Sequence, residues 1–95
     1  DALFLRSSAY GMTFKYQKAI DDLSKIIVKL PKYKEAYTNR AINRVNLNKG
    51  IKSRMSTSTI NQICIDLSKA LDLGDKAAQE MHTIYCTEEL EQKKK

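Results

Sequence analysis

Part of this chain occurs twice. Ala19-Ile20-Asp21-Asp22-Leu23-Ser24-Lys25 returns about forty-four residues later as Ile63-Cys64-Ile65-Asp66-Leu67-Ser68-Lys69. Each copy lies in an amphipathic helical pattern. Each is followed by a helix breaker, Pro31 or Gly74-Asp75, and by a second helical pattern over Lys34 to Leu47 or Lys76 to Leu90. Self-similarity at a period of roughly 20 to 50 residues is the signature of stacked helix pairs, in which no unit buries its apolar face alone and neighbours share a core. Such a chain is a surface for holding something rather than an enclosed reaction vessel.

Ninety-five residues form one small domain, read here as residues 1–92 with a frayed tail at 93–95. That length supports a continuous layer between helices but not a deep catalytic cavity. Few glycines, a single proline and 29% charged residues describe a soluble, helix-rich protein. Nothing resembles an apolar run of about 18 residues, so no helical span of a membrane is expected. The chain opens at Asp1 with neither methionine nor a signal-peptide pattern, which points to a processed protein or an excised fragment. Its formal charge of +6 comes in part from Lys93, Lys94 and Lys95, and the rest is scattered along the helices. Nucleic-acid binding calls for a basic stripe with aromatic stacking partners or a known reading motif. Neither is visible, and the lysines read as a solvated face.

The periodicity predicts five helices. The first covers Ala2 to Met12 with Leu3 and Tyr10 inward. After a reversal at Thr13-Phe14-Lys15, the second covers Tyr16 to Leu30, with Ala19, Ile20, Leu23, Ile26, Ile27 and Leu30 on one stripe. Pro31 ends it, since its ring donates no backbone hydrogen bond and disfavours helical geometry at Leu30. The third covers Tyr33 to Asn48, with Ala36, Tyr37, Ala41 and Val45 inward and Arg44 extended along the edge of the core. Residues 49–58 are hydroxyl-rich, basic and without an apolar period, so they read as a mobile loop. Thr59 and Gln62 form a candidate capping box for the fourth helix, which runs to Leu73. Gly74 stops it, and Asp75 caps a fifth helix over Lys76 to Gln92 whose apolar positions are Ala77, Ala78, Met81, Ile84 and Tyr85.

These residues resemble the tetratricopeptide repeat. Leu3, Ser7, Tyr10, Tyr16, Ala19, Leu23, Ile26 and Pro31 fall where that repeat places its large, small, aromatic, aromatic, small, large, small and proline positions. Ala36-Tyr37-Thr38-Asn39-Arg40-Ala41 looks like the first helix of a second repeat, and Ile63, Leu67 and Ala70 like its second helix. The resemblance implies an all-α, right-handed helix-pair solenoid: repeat one at 1–33, repeat two at 34–75, and a closing helix at 76–92. A repeat of this family takes 34 residues, so the longer spacing implies an insertion of about ten within repeat two, around 49–58. Arg6 stands at a usually aliphatic position, Ile26 and Ile63 replace small residues, and Asp75 replaces a second proline. The segment Lys69 to Gln79 also resembles the related Sel1-like repeat.

The resemblance further implies a non-catalytic scaffold that holds a protein or peptide partner in a groove lined by the first helix of each pair. Carried onto this sequence, the groove residues are Phe4, Leu5, Ser8 and Met12, then Thr38, Asn39, Ile42, Val45 and Asn46, and finally His82, Thr83 and Cys86. Phe4 and Met12 have a second reading as packing positions for a preceding segment. A basic clamp on a C-terminal carboxylate, used by the chaperone-binding members, is not expected, because Phe4, Ser8 and Thr38 occupy its positions. Two other roles compete: an architectural stretch of a larger cell-envelope assembly, and contact with an acidic surface or nucleic acid through Lys49, Lys52 and Arg54.

Cys64 and Cys86 are the candidates for covalent chemistry. Two antiparallel helices joined by a short Gly-Asp turn bring them to the same height, and a bridge requires Cα atoms within about 7 Å. Two reduced, buried cysteines are the other reading, and a metal site with His82 is a third that lacks a fourth ligand. Resemblance to the last repeat of bacterial cell-envelope proteins favours the disulfide, and with it a periplasmic or surface location over a cytoplasmic one. No phosphate loop or nucleophile, base and acid set is apparent, and Asp21-Asp22 and Glu88-Glu89 read as solvated faces. No enzyme activity, cofactor or small-molecule substrate is expected.

Overall fold

Helix ends follow the local chemistry of the chain. The computed structural model describes residues 2–87, which form α1 (Ala2–Met12), α2 (Tyr16–Lys29), α3 (Lys34–Leu47), α4 (Thr57–Asp72) and α5 (Gln79–Cys86). Phe14, at φ 64°, adopts the left-handed conformation that closes α1, and the Lys15 N–H donates back to the Tyr10 carbonyl at 2.8 Å. Leu30 leaves helical geometry just before Pro31, at φ −130° and ψ 74°. Gly74, at φ 98°, terminates α4, and the Asp75 carboxylate then accepts from the Ala77 N–H at 3.1 Å. That cap opens a 3-10 turn at Lys76–Ala78, which leads into α5. The part of the fifth helix expected beyond Thr87, with Leu90 and the Glu88-Glu89 pair, lies outside the described residues.

All described elements are helical, and no strand occurs among them. The extensive interfaces join helices consecutive in the chain: α1 with α2, α2 with α3, α3 with α4, and α4 with α5. The result is elongated, 47 × 26 × 19 Å. Its core has two connected parts. Leu23, Ile26 and Ala36 form the first, with Leu3, Phe4 and Tyr33 packed against it. Tyr37, Ala41, Val45, Met55, Ile63, Leu67, Ala70 and Ala78 form the second. Alanines at 19, 36, 41, 70 and 78 are fully buried, as positions where one helix approaches another must be. Each fully buried leucine or isoleucine contributes roughly 1.5–3 kcal/mol by leaving water.

Four sequence expectations are corrected. Thr59 does not cap α4: Ser56 does, its hydroxyl accepting from the Thr59 N–H at 3.0 Å, so the helix starts earlier. Residues 49–58 are not an open loop. Lys49 and Gly50 make a left-handed turn, Lys52–Arg54 a 3-10 turn, and Met55 plugs into the core at 8% exposure. Leu30 and Ile84 are exposed rather than inward, because α2 ends before Leu30 and α5 packs on α4 through Met81 and Tyr85. Asp22 is not solvated; it is buried against Arg6, which pairs with its carboxylate.

Candidate functional site

A carboxylate on α2 and another on α4 are each gripped by an arginine from the helix before. Arg6 on α1 donates to Asp22 on α2 through Nε at 2.8 Å and Nη2 at 2.7 Å. Arg40 on α3 donates to Asp66 on α4 through the same two nitrogens at the same two distances. Asp22 and Asp66 occupy the same position of the duplicated segment, so the duplication supplies the acidic half of each clamp. Bidentate arginine and carboxylate pairs fix orientation as well as distance. Arg40 also donates to the Ser24 hydroxyl at 3.1 Å, which ties the second pair to the first. Arg44 adds a third contact to Asp66 at 3.0 Å, so its extended pose along the core edge has a carboxylate at its end. The hydrogen bond from Arg6 holds the Asp22 carboxyl below its ordinary pKa despite burial. Asp66 raises Arg40, whereas burial lowers Arg44 against the pull of Asp66.

Between α1 and α3 opens a cleft of about 260 Å³ lined by Ser7, Ser8, Gly11, Met12, Asn39, Ile42, Asn43 and Asn46. Five of the groove residues expected from sequence therefore meet here: Ser8, Met12, Asn39, Ile42 and Asn46. Gly11 permits the close approach, since a Cβ there would lie 3.1 Å from Asn43 Oδ1. Asn43 is buried and donates to the Asn39 carbonyl at 2.8 Å. The side chains of Ser8, Asn39 and Asn46, by contrast, make no hydrogen bond to another described residue, and no charged residue lines the cleft.

The other expected groove residues lie elsewhere. Phe4 stacks on Tyr33, with ring centroids 5.2 Å apart and planes at 16°, against the first core cluster. Thr38 is buried and donates its hydroxyl to Asp75 at 2.6 Å, which fastens α3 to the turn after α4. His82 Nε2 sits 3.2 Å from the Ser68 hydroxyl, between α4 and α5. Of the basic turn, Lys49 and Arg54 are exposed, while Lys52 Nζ donates to the Ile84 carbonyl at 3.3 Å. Asn43, Ser7 and Gly11 were missed by sequence reasoning. Their signal is helical spacing: Asn39, Asn43 and Asn46 stand at i, i+4 and i+7.

Cys64 and Cys86 form a disulfide with Cα atoms 5.7 Å apart. The bond excludes the reduced pair and the metal reading, because bridged sulfurs are no longer thiolate ligands. It joins α4 to the end of α5. The Tyr85 hydroxyl donates to the Gly50 carbonyl at 3.2 Å, so the same helix end also holds the turn that carries Lys49 and Lys52. No helix among the described residues is long and apolar enough to cross a membrane.

No protein-family model, curated protein or solved structure matches this chain.

Proposed function

We propose that this chain is a tetratricopeptide-like, right-handed helix-pair solenoid of two repeats and a closing helix, a non-catalytic scaffold that holds an extended peptide segment of a protein partner in the cleft between α1 and α3. One observation carries the reading: three polar side chains that bond to no other described residue, Ser8, Asn39 and Asn46, surround the apolar groups of Met12 and Ile42 in a cleft that no charged described residue lines. An amide side chain both donates and accepts, so it can satisfy the N–H and the C=O of an extended backbone. Met12 and Ile42 would take an apolar side chain of that peptide. An uncharged lining suits a mid-chain segment rather than a terminal carboxylate. The repeated clamp and the consecutive packing of the helices support the solenoid assignment, and the disulfide supports a periplasmic or cell-envelope location.

A second reading, an architectural stretch of a longer solenoid, is favoured by Leu5 and Met12, seven residues apart on α1 and 71% and 80% exposed, where a preceding helix would pack. Selection of displayed random peptides on the intact chain separates the two. The scaffold reading expects enriched peptides whose calorimetric affinity falls by roughly 1–3 kcal/mol in Asn39→Ala, as a buried backbone group loses its partner. Circular dichroism should stay unchanged. Peptides that bind the variant equally well, or no enrichment at all, would count against it.

A further inference from the structure

The far side of α3 carries a second cleft of different chemistry. About half a helical turn from the asparagine face, Arg44 and Asn48 meet Gln17 of α2 and Thr59 and Gln62 of α4 around a cleft of about 280 Å³. Its polar lining is amides, a hydroxyl and one guanidinium, and no carboxylate lines it. The charge behind it is unbalanced. Arg40 and Arg44 share the single carboxylate of Asp66, and Arg40 takes it bidentately, so the network keeps a formal excess of one positive charge. Arg44 spends only Nη1 on Asp66; its Nε and Nη2 bond to no other described residue. Its side chain is only 19% exposed, so water compensates little of that charge. Asp21 accepts from Gln17 at 3.0 Å but does not line the cleft.

We infer that this cleft binds a small oxyanion, a carboxylate or phosphate, through Arg44 with the side chains of Gln17, Asn48, Thr59 and Gln62. A guanidinium fork matches the paired oxygens of such groups. Asn48 Nδ2 already donates to the Arg44 carbonyl at 2.9 Å, which leaves its second N–H, while the Gln62 side chain has no bond to another described residue. The bound anion would neutralise the excess charge and bridge α2, α3 and α4, so binding stabilises the stack by mass action.

Nitrogen-proton spectra of the intact, oxidised chain test this. Sodium phosphate and sodium acetate are titrated separately, with sodium chloride adjusted to hold ionic strength constant. The expected result is a saturable shift of the Arg44 Nε–H signal and of the Gln17 and Gln62 amide signals. Saturation by phosphate alone, by acetate alone or by both identifies the oxyanion class. Gln62→Glu, on an exposed position, sets a carboxylate at the rim; it should keep the native spectrum and weaken the titration by at least about tenfold through repulsion. Shifts that grow without saturating, that saturate only at surface lysines, or that survive unchanged in Gln62→Glu would overturn the assignment.

Discussion

Arg6 and Arg40 hold their aspartates through the same atoms at the same distances, yet the Arg6 side chain is 52% exposed and that of Arg40 19%. The difference comes from position in the stack. α1 has an extensive interface only with α2, whereas α3 lies between α2 and α4. Around the second clamp the chain adds a further arginine, the Ser24 hydroxyl and, beyond α4, a disulfide. One local pattern is thus an open orienting device between α1 and α2 and a sealed one between α3 and α4. A half-exposed guanidinium such as that of Arg6 is partly solvated even when its aspartate is buried, while one sealed on both sides must keep every partner because a lone charge there is costly.

Removing the counter-charge is the strongest way to break that comparison. Asp66→Asn leaves two mostly buried guanidinium groups without a carboxylate and should lower unfolding stability by about 3–5 kcal/mol. That is a large share of the roughly 5–15 kcal/mol typical of a domain. Urea denaturation of Asp66→Asn beside Asp22→Asn reads the contrast. The Asp22 variant should lose clearly less, because Arg6 can turn to water; equal losses would erase the distinction between open and sealed clamps.

The disulfide gives the next largest effect. Cys86→Ser should lower stability by roughly 3 kcal/mol in the chain-entropy model for a closed loop of this size. Its loss should release α5 from the second repeat while hydrogen exchange in α1 and α2 stays near native. Alkylation should find no free thiol at Cys64 or Cys86 in the native, unreduced protein.

Capping sharpens the contrast at smaller scale. Ser56→Ala removes the side-chain cap of α4 and should cost about 1 kcal/mol. Lys15, the equivalent residue before α2, makes no side-chain cap bond, so Lys15→Ala should leave the urea midpoint nearly unchanged.

Acid separates the repeats most gently. Asp22 has a lowered pKa in the folded state, so below the ordinary aspartate value of about 3.9 the unfolded chain binds more protons. The stability due to Asp22 is therefore complete above that value and is lost as pH falls through the folded pKa. Urea midpoints followed from neutral to acid pH should fall less steeply in Asp22→Asn than in the parent chain.

Helix positions were legible because they rest on local signals: the apolar spacing of Ala19, Ile20, Leu23 and Ile26, and the breakers Pro31 and Gly74. The clamps were harder to see, since Arg6 and Asp22 are sixteen residues apart and Arg40 and Asp66 twenty-six. Only the acidic half left a trace, since Asp22 recurs at Asp66 within the duplicated segment whereas Arg6 and Arg40 lie outside it. Phe4 and Thr38 were misplaced because their surroundings come from distant parts of the chain, Tyr33 for one and Asp75 for the other. Ile51 and Met55 are the apolar residues of a hydroxyl-rich stretch, and two such residues set no period that would tell the buried Met55 from the exposed Ile51. Ser8, Met12, Asn39, Ile42 and Asn46 were expected from the repeat resemblance, and the structure places all five around the cleft between α1 and α3. Closure of that cleft depended on Gly11, whose close approach to Asn43 only the packed structure reveals.

Photo-methionine tests most directly the proposal that the cleft between α1 and α3 holds a peptide. Replacing the methionines places a small diazirine at positions 12, 55 and 81 with little change of shape. Met12 lines the cleft and is 80% exposed, Met55 is buried, and Met81 packs against the second core cluster. Irradiation with a saturating, library-selected peptide, followed by mass mapping, should place the peptide adduct at position 12. A saturated peptide that leaves position 12 unlabelled, or that is captured at position 81 instead, would contradict the account.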